Sequence, residues 1–152
     1  MNKIIYLLGF VLLCNASNAQ SFTFKGLDSL LHVNFDKQEN ILLTKKFEPS
    51  NGPSSANKNY IKGTTRNENG SAVSELIVLD IASNTILTYA TTDKETFQKI
   101  KNSLTALGYI YKSTNTKSEL KERIYNNGKR QVELSDSKNN VGIVHYQIMI
   151  FK

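Results

Sequence analysis

Between Ile86 and Ser113 the apolar pattern changes period twice, from two to about 3.6 and back to two, which restricts the chain to folds that lay a helix across strands. Ile86 to Thr91 alternates, and so does Tyr109 to Ser113. Between them Phe97, Ile100, Leu104 and Leu107 fall at spacings of three, four and three, one stripe along a helix. Thr92 followed by Glu95 reads as a capping box, in which the hydroxyl takes one free amide of the first turn and the carboxylate another. Asp93 adds negative charge where the helix dipole favours it. Gly108 ends the stripe, because glycine accepts the left-handed backbone that closes helices.

Upstream, Leu27, Leu30, Leu31 and Phe35 stand at helical spacings, and a second short helix is expected from about Asp36 to Lys46, with Asp36 as its cap. Pro49 to Asn57 holds two prolines, a glycine and small polar residues, a loop by composition. Tyr60 to Arg66, Ser74 to Ile81 and Thr85 to Thr91 read as strands, the first two joined by an Asn69-Gly70 turn. Ile77, Leu79 and Ile81 share one side of their strand, Leu76, Val78 and Asp80 the other; a strand apolar on both sides is central or covered twice. After the helix, strands are expected at Tyr109 to Asn115, Leu120 to Asn126, Lys129 to Ser135 and Ile143 to Phe151.

The turn at Asn126-Asn127-Gly128 decides which side chains share a face. A two-residue turn sets Glu122 against Glu133, whereas a three-residue turn with Gly128 left-handed sets Lys121 against Glu133 and gathers Leu120, Ile124, Val132 and Leu134. Cross-strand charge pairs are worth roughly 0.2–1 kcal/mol each, and keeping a whole apolar set buried weighs more, so the three-residue turn is the expectation. It sends Lys121, Arg123, Tyr125, Lys129, Gln131 and Glu133 away from the helix. On the last strand Val144, Tyr146, Ile148 and Ile150 form the inward set, and Ile143, His145, Gln147, Met149 and Phe151 the outward one. Arg123, Tyr125, Lys129, Gln131, His145 and Gln147 are therefore the expected binding residues, basic and aromatic groups among amides on a sheet face. Met149 and Phe151 beside Leu76 and Val78 are costly to leave wet, so a partner, a second copy or the N-terminal segment is expected over them.

The elements also repeat. Leu43 to Phe47 ends one helix as Leu104 to Tyr109 ends the other, and each is followed by a polar strand, an Asn-Gly turn (Asn69-Gly70, Asn127-Gly128) and two more strands, at an offset of about sixty residues. The expected fold class is α+β, antiparallel sheet with helices on one face, arranged as two helix-plus-meander units over 36–92 and 93–152. Two such units resemble the tandem helix-plus-four-strand layout of the beta-lactamase-inhibitor-protein type, in architecture only, since no motif of that family is present.

Residues 1–19 read as a secretory leader: Lys3, then the apolar run Ile4 to Leu13, then Ser17 and Ala19 as the small residues before a cut. The run is well short of the ~20 residues of a membrane-spanning helix, so no transmembrane anchor is expected. Lipidation at Cys14 is the rival, disfavoured because Leu13 stands where a small residue is usual. Cleavage after Ala19 leaves 152 − 19 = 133 residues, one domain over 20–152, exported to a periplasmic or extracellular location. The single cysteine lies in the leader, so the domain has neither disulfide nor thiolate and is held by packing.

Of the formal charge of +6, the excess in the domain falls within 93–130, with nine basic residues against four acidic; 20–92 and 131–152 balance. Such a segment concentrates an acidic partner nearby. The mature chain has two histidines, His32 and His145, no tryptophan, and none of the local motifs of zinc hydrolases, serine hydrolases, phosphate loops or dinucleotide folds. His32 reads as a packed or surface residue. The expectation is a non-enzymatic exported binding or inhibitory module, without cofactor or metal, whose basic and aromatic face meets an acidic protein. The alternative is recognition of an anionic envelope polymer or lipid surface by the same segment; nucleic acid is not expected, since export removes the chain from it.

Overall fold

The computed structural model describes residues 22–50, 57–66, 72–80, 85–117 and 120–152. The expected leader, the expected Asn69-Gly70 turn and most of the expected Pro49 to Asn57 loop lie outside the described residues. Within them run α1 (Phe24–Leu31), α2 (Phe35–Thr44), β1 (Glu48–Ser50), β2 (Asn57–Arg66), β3 (Ala72–Asp80), β4 (Ile86–Thr91), α3 (Lys94–Ala106), β5 (Ile110–Lys117), β6 (Leu120–Asn126), β7 (Gln131–Lys138) and β8 (Val144–Phe151). The α+β expectation is met by a single sheet larger than the separate meanders read from the sequence. Its eight strands lie in the order β1-β2-β3-β4-β8-β7-β6-β5, with every neighbouring pair antiparallel. Each of α2 and α3 is followed by four strands; the two last strands, β4 and β8, pair at the centre, and the two first, β1 and β5, are the edges.

α3 forms where its stripe demands, but its cap is shifted by one residue. Asp93 is the N-cap: its carboxylate accepts from the amides of Glu95 at 3.3 Å and Thr96 at 3.2 Å, and from the Thr96 hydroxyl at 2.7 Å. Thr92, the expected cap, instead accepts the amide of Ser74 at 3.0 Å and ties the turn to β3. A carboxylate offers two oxygens to the first turn and complements the dipole, so it displaces the hydroxyl. In α2 the cap is Asn34, whose side chain accepts the Lys37 amide at 3.1 Å, with Asp36 in the first turn.

At the other end of α3, Gly108 has φ +80°, the Tyr109 amide donates to the Leu104 carbonyl and the Gly108 amide to the Thr105 carbonyl, both at 3.0 Å. These are the paired bonds of a Schellman ending. The ending turns Leu107 away from the stripe, so this expected core residue is 46 % exposed. α2 ends in the same way. Phe47 donates to the Leu42 carbonyl and Lys46 to the Leu43 carbonyl, both at 2.9 Å, with Lys46 itself at φ 65°.

One buried cluster joins Leu27, Leu30 and Leu31 of α1, Leu42 of α2 and Phe97, Ile100 and Leu104 of α3 to alternate residues of the central strands. Those residues are in register: Ile77, Tyr89, Ile148 and Leu134 form one row across β3, β4, β8 and β7, and Leu79, Leu87, Ile150 and Val132 the next. Phe97 stacks on Tyr146 with ring centroids 4.7 Å apart, Phe24 meets Tyr109 edge-on at 5.3 Å, and Phe22 meets Tyr89 at 6.1 Å. Such pairs add about 0.5–1.5 kcal/mol beyond area burial. The expected partners Ile148, Ile150, Val132 and Leu134 are all present; Val144, at the start of β8, is only half-buried.

Candidate binding surface

The register of the β6–β7 hairpin divides the expected site. Asn126 pairs with Gln131 across a four-residue loop, in which the Asn127 side chain accepts the amides of Lys129 at 3.0 Å and Arg130 at 2.9 Å, with Gly128 at φ +86°. Neither shorter turn read from the sequence forms. The side chain of Asn127 stabilises one more loop residue, and one residue reverses which side chains of β6 meet which of β7. Tyr125 therefore lies opposite Val132 and Arg123 opposite Leu134, on the face of the buried cluster, while Ile124 lies opposite Glu133 on the other face.

Arg123 and Tyr125 are thus not part of an outward surface. Tyr125 is 8 % exposed and meets Tyr111 edge-on at 5.8 Å; Arg123 donates to Asp136 at 2.8 Å. Burying an aromatic ring and pairing the guanidinium outweigh turning Ile124 inward. Gln131, Gln147 and His145 do lie on the second face, as their registers with Asn126, with Ser135 and Ala90, and with Ser137 show. Lys129 is exposed in the loop. Arg123 and His145 stand on opposite sides of the sheet, so the six residues do not form one site.

The second face has a different composition from the one expected. Its rows are Ile61, Leu76, Ala90, Gln147, Ser135 and Glu122, then Asn59, Val78, Thr88, Met149, Glu133 and Ile124, with Ile86 beside Phe151. Leu76, Val78, Ile86, Ile124, Met149 and Phe151 are half-buried, Ile61 is exposed, and none belongs to the buried cluster or packs against it. Among strand residues with described side chains, Lys112 at the β5 bulge aside, this face carries no lysine or arginine; its ionisable groups are Glu48, Asp80, Glu122, Glu133 and His145. The Gln131 amide donates to Glu133 at 2.6 Å. Burial pushes the Glu133 carboxyl above its ordinary value, the Gln131 bond opposes this, and the nearby Glu122 charge adds to it.

The buried-cluster face holds the strongest polar network. Lys62 Nζ lies 3.2 Å from Glu75 Oε2, with both side chains almost fully buried, and the Tyr89 hydroxyl donates to Glu75 Oε1. Burial, then the Glu75 carboxylate, pushes the Tyr89 phenol far above its ordinary range, so it stays a donor. Glu75 thus binds both Lys62 and Tyr89 within the protein, an arrangement that stabilises a buried charge. His32 is not isolated: its Nδ1 donates to the Asp28 carbonyl at 2.7 Å, its Nε2 accepts from Arg130 at 2.6 Å, and Arg130 also pairs with the Asp28 carboxylate. Sequence reasoning missed this tie between α1 and the β6–β7 loop, because its partners are about a hundred residues apart in sequence. Comparison with protein-family models, with curated proteins and with solved structures finds no match.

Proposed function

We propose that the protein is an exported, non-enzymatic binding module whose second sheet face, opposite the buried cluster, docks a protein partner. The observation that carries the reading is the half-exposed apolar set Leu76, Val78, Ile124, Met149 and Phe151, contributed by three strands and set among the amides of Gln131 and Gln147. A rigid sheet presents such a patch without an ordering cost at binding, and protein interfaces combine an apolar centre with amide groups in this way. Its carboxylates do not favour an acidic partner at this face, so docking here rests on apolar and amide contacts. The leader over residues 1–19 supports export.

The test is affinity capture from the envelope and medium of the producing cell with the wild-type chain, Met149→Glu and, as a control on α3, Lys99→Glu. The reading expects a defined protein held by wild type and Lys99→Glu and lost by Met149→Glu, with equal thermal midpoints for all three. Retention by Met149→Glu, or capture of nothing by wild type, contradicts it.

A further inference from the structure

The two edges of the sheet are unlike. β1 is three residues long and centred on Pro49, which has no amide to donate, so it gives another strand little to pair with. β5 runs eight residues without proline and, among the described residues, is bonded only to β6. After the register shift between Tyr111 and Ser113 its pairing is regular to Lys117, and alternate backbone amides and carbonyls of that stretch point away from the sheet. Beside it, Ile110 is 63 % and Tyr111 51 % exposed, the latter with its hydroxyl 2.7 Å from that of Thr114. The strand holds two lysines and no carboxylate, and exposed Lys121 on β6 is in register with Thr116. We propose that the free edge of β5 accepts an extended acidic segment of a protein partner as a ninth, antiparallel strand. The proposal does not depend on docking at the second face.

Main-chain bonds supply affinity in strand addition and the flanking side chains supply selectivity. Lys112 and Lys121 set that selectivity towards carboxylates, and the exposed Ile110 and Tyr111 give the incoming strand apolar surface to cover. The same lysines oppose pairing with a second copy, whose edge carries the same charge. This also gives the charge excess of residues 93–130 a place to act, away from the carboxylate-bearing face.

The probe is a synthetic eight-residue peptide alternating glutamate with valine or threonine, added to the isotope-labelled mature chain. We expect binding at about 1 mM or tighter, with slowed exchange and shifted amide resonances at residues 113–116. N-methylation of alternate peptide amides along one edge should abolish binding, and along the other edge leave it intact. Lysine in place of glutamate in the peptide, or Lys112→Glu with Lys121→Glu in the protein, should weaken binding by about tenfold or more. No binding at that concentration, equal effects of the two methylation patterns, or equal binding of the lysine peptide overturns the proposal. So does a shift confined to Val78 and Met149, which places the peptide on the second face, or a stable dimer that excludes the peptide, which assigns the edge to a second copy.

Discussion

Two ion pairs lie on either side of one row of the sheet, and they differ in kind. Glu75, Thr91, Tyr146 and Asp136 are successive cross-strand partners; Lys62 closes one end against Glu75, and Arg123 reaches Asp136 at the other. The Arg123 pair is shorter, at 2.8 Å against 3.2 Å, but its side chains are 20 % and 33 % exposed where those of Lys62 and Glu75 are 6 % and 4 %. Distance is therefore the wrong guide. In the first half Lys62 lies under Phe47, its Nζ 5.7 Å from the ring centre, and Glu75 is held by Tyr89, so water cannot replace a lost partner. In the second half water can.

The largest effect should come from Glu75→Ala, which strands the Lys62 charge and the Tyr89 hydroxyl: a loss of roughly 3–5 kcal/mol, read from the chemical-denaturation midpoint. The two helix endings come next, since they share a bond pattern but not a residue. Gly108→Ala, at φ +80°, should cost about 1–2 kcal/mol, while Lys46→Gly, at φ 65°, should stabilise by up to about 1 kcal/mol. Equal and small responses at both would mean that the left-handed residue is not limiting. Asp136→Ala should cost no more than about 1 kcal/mol, and less in high salt. A cost matching that of Glu75→Ala would end the distinction between the two pairs.

The smallest effect extends the comparison to the second face. Because the Glu133 carboxyl is raised, by burial first and by Glu122 after it, the folded chain binds that proton more readily than the unfolded chain does. The associated stability is present below the ordinary glutamate value of 4.5 and is lost as pH rises through the higher folded value. Glu133→Gln should thus raise the neutral-pH thermal midpoint slightly, and the difference from wild type should close on acidification.

The helix-and-strand framework was legible because periodicity is a local property. Phe97, Ile100 and Leu104 are buried as their spacing requires, and the inward residues Ile148 and Ile150 follow from alternation alone. The endings of α2 and α3 were visible as paired motifs at Phe47 and Tyr109. The faces of β6 were not legible, because they depend on one residue of loop length. Leu120, Lys121, Glu122, Arg123, Ile124 and Tyr125 have no clean alternation, so apolar matching pointed to Ile124, and the Asn127 side chain with the Arg123–Asp136 pair decided for Tyr125. The basic face was lost with that register. What replaces it is a face of Leu76, Val78, Met149 and Phe151 whose apolar character was evident in the strands before their pairing was known.

A photoreactive methionine analogue at position 149, in the chain expressed in the producing cell, tests the use of that face most directly. Irradiation should join position 149 to one protein species of defined mass, and the same species should be captured from a photoreactive residue at Val78 but not at Lys99. Absence of any such product, or the same product from Lys99 as from Met149, would contradict the account.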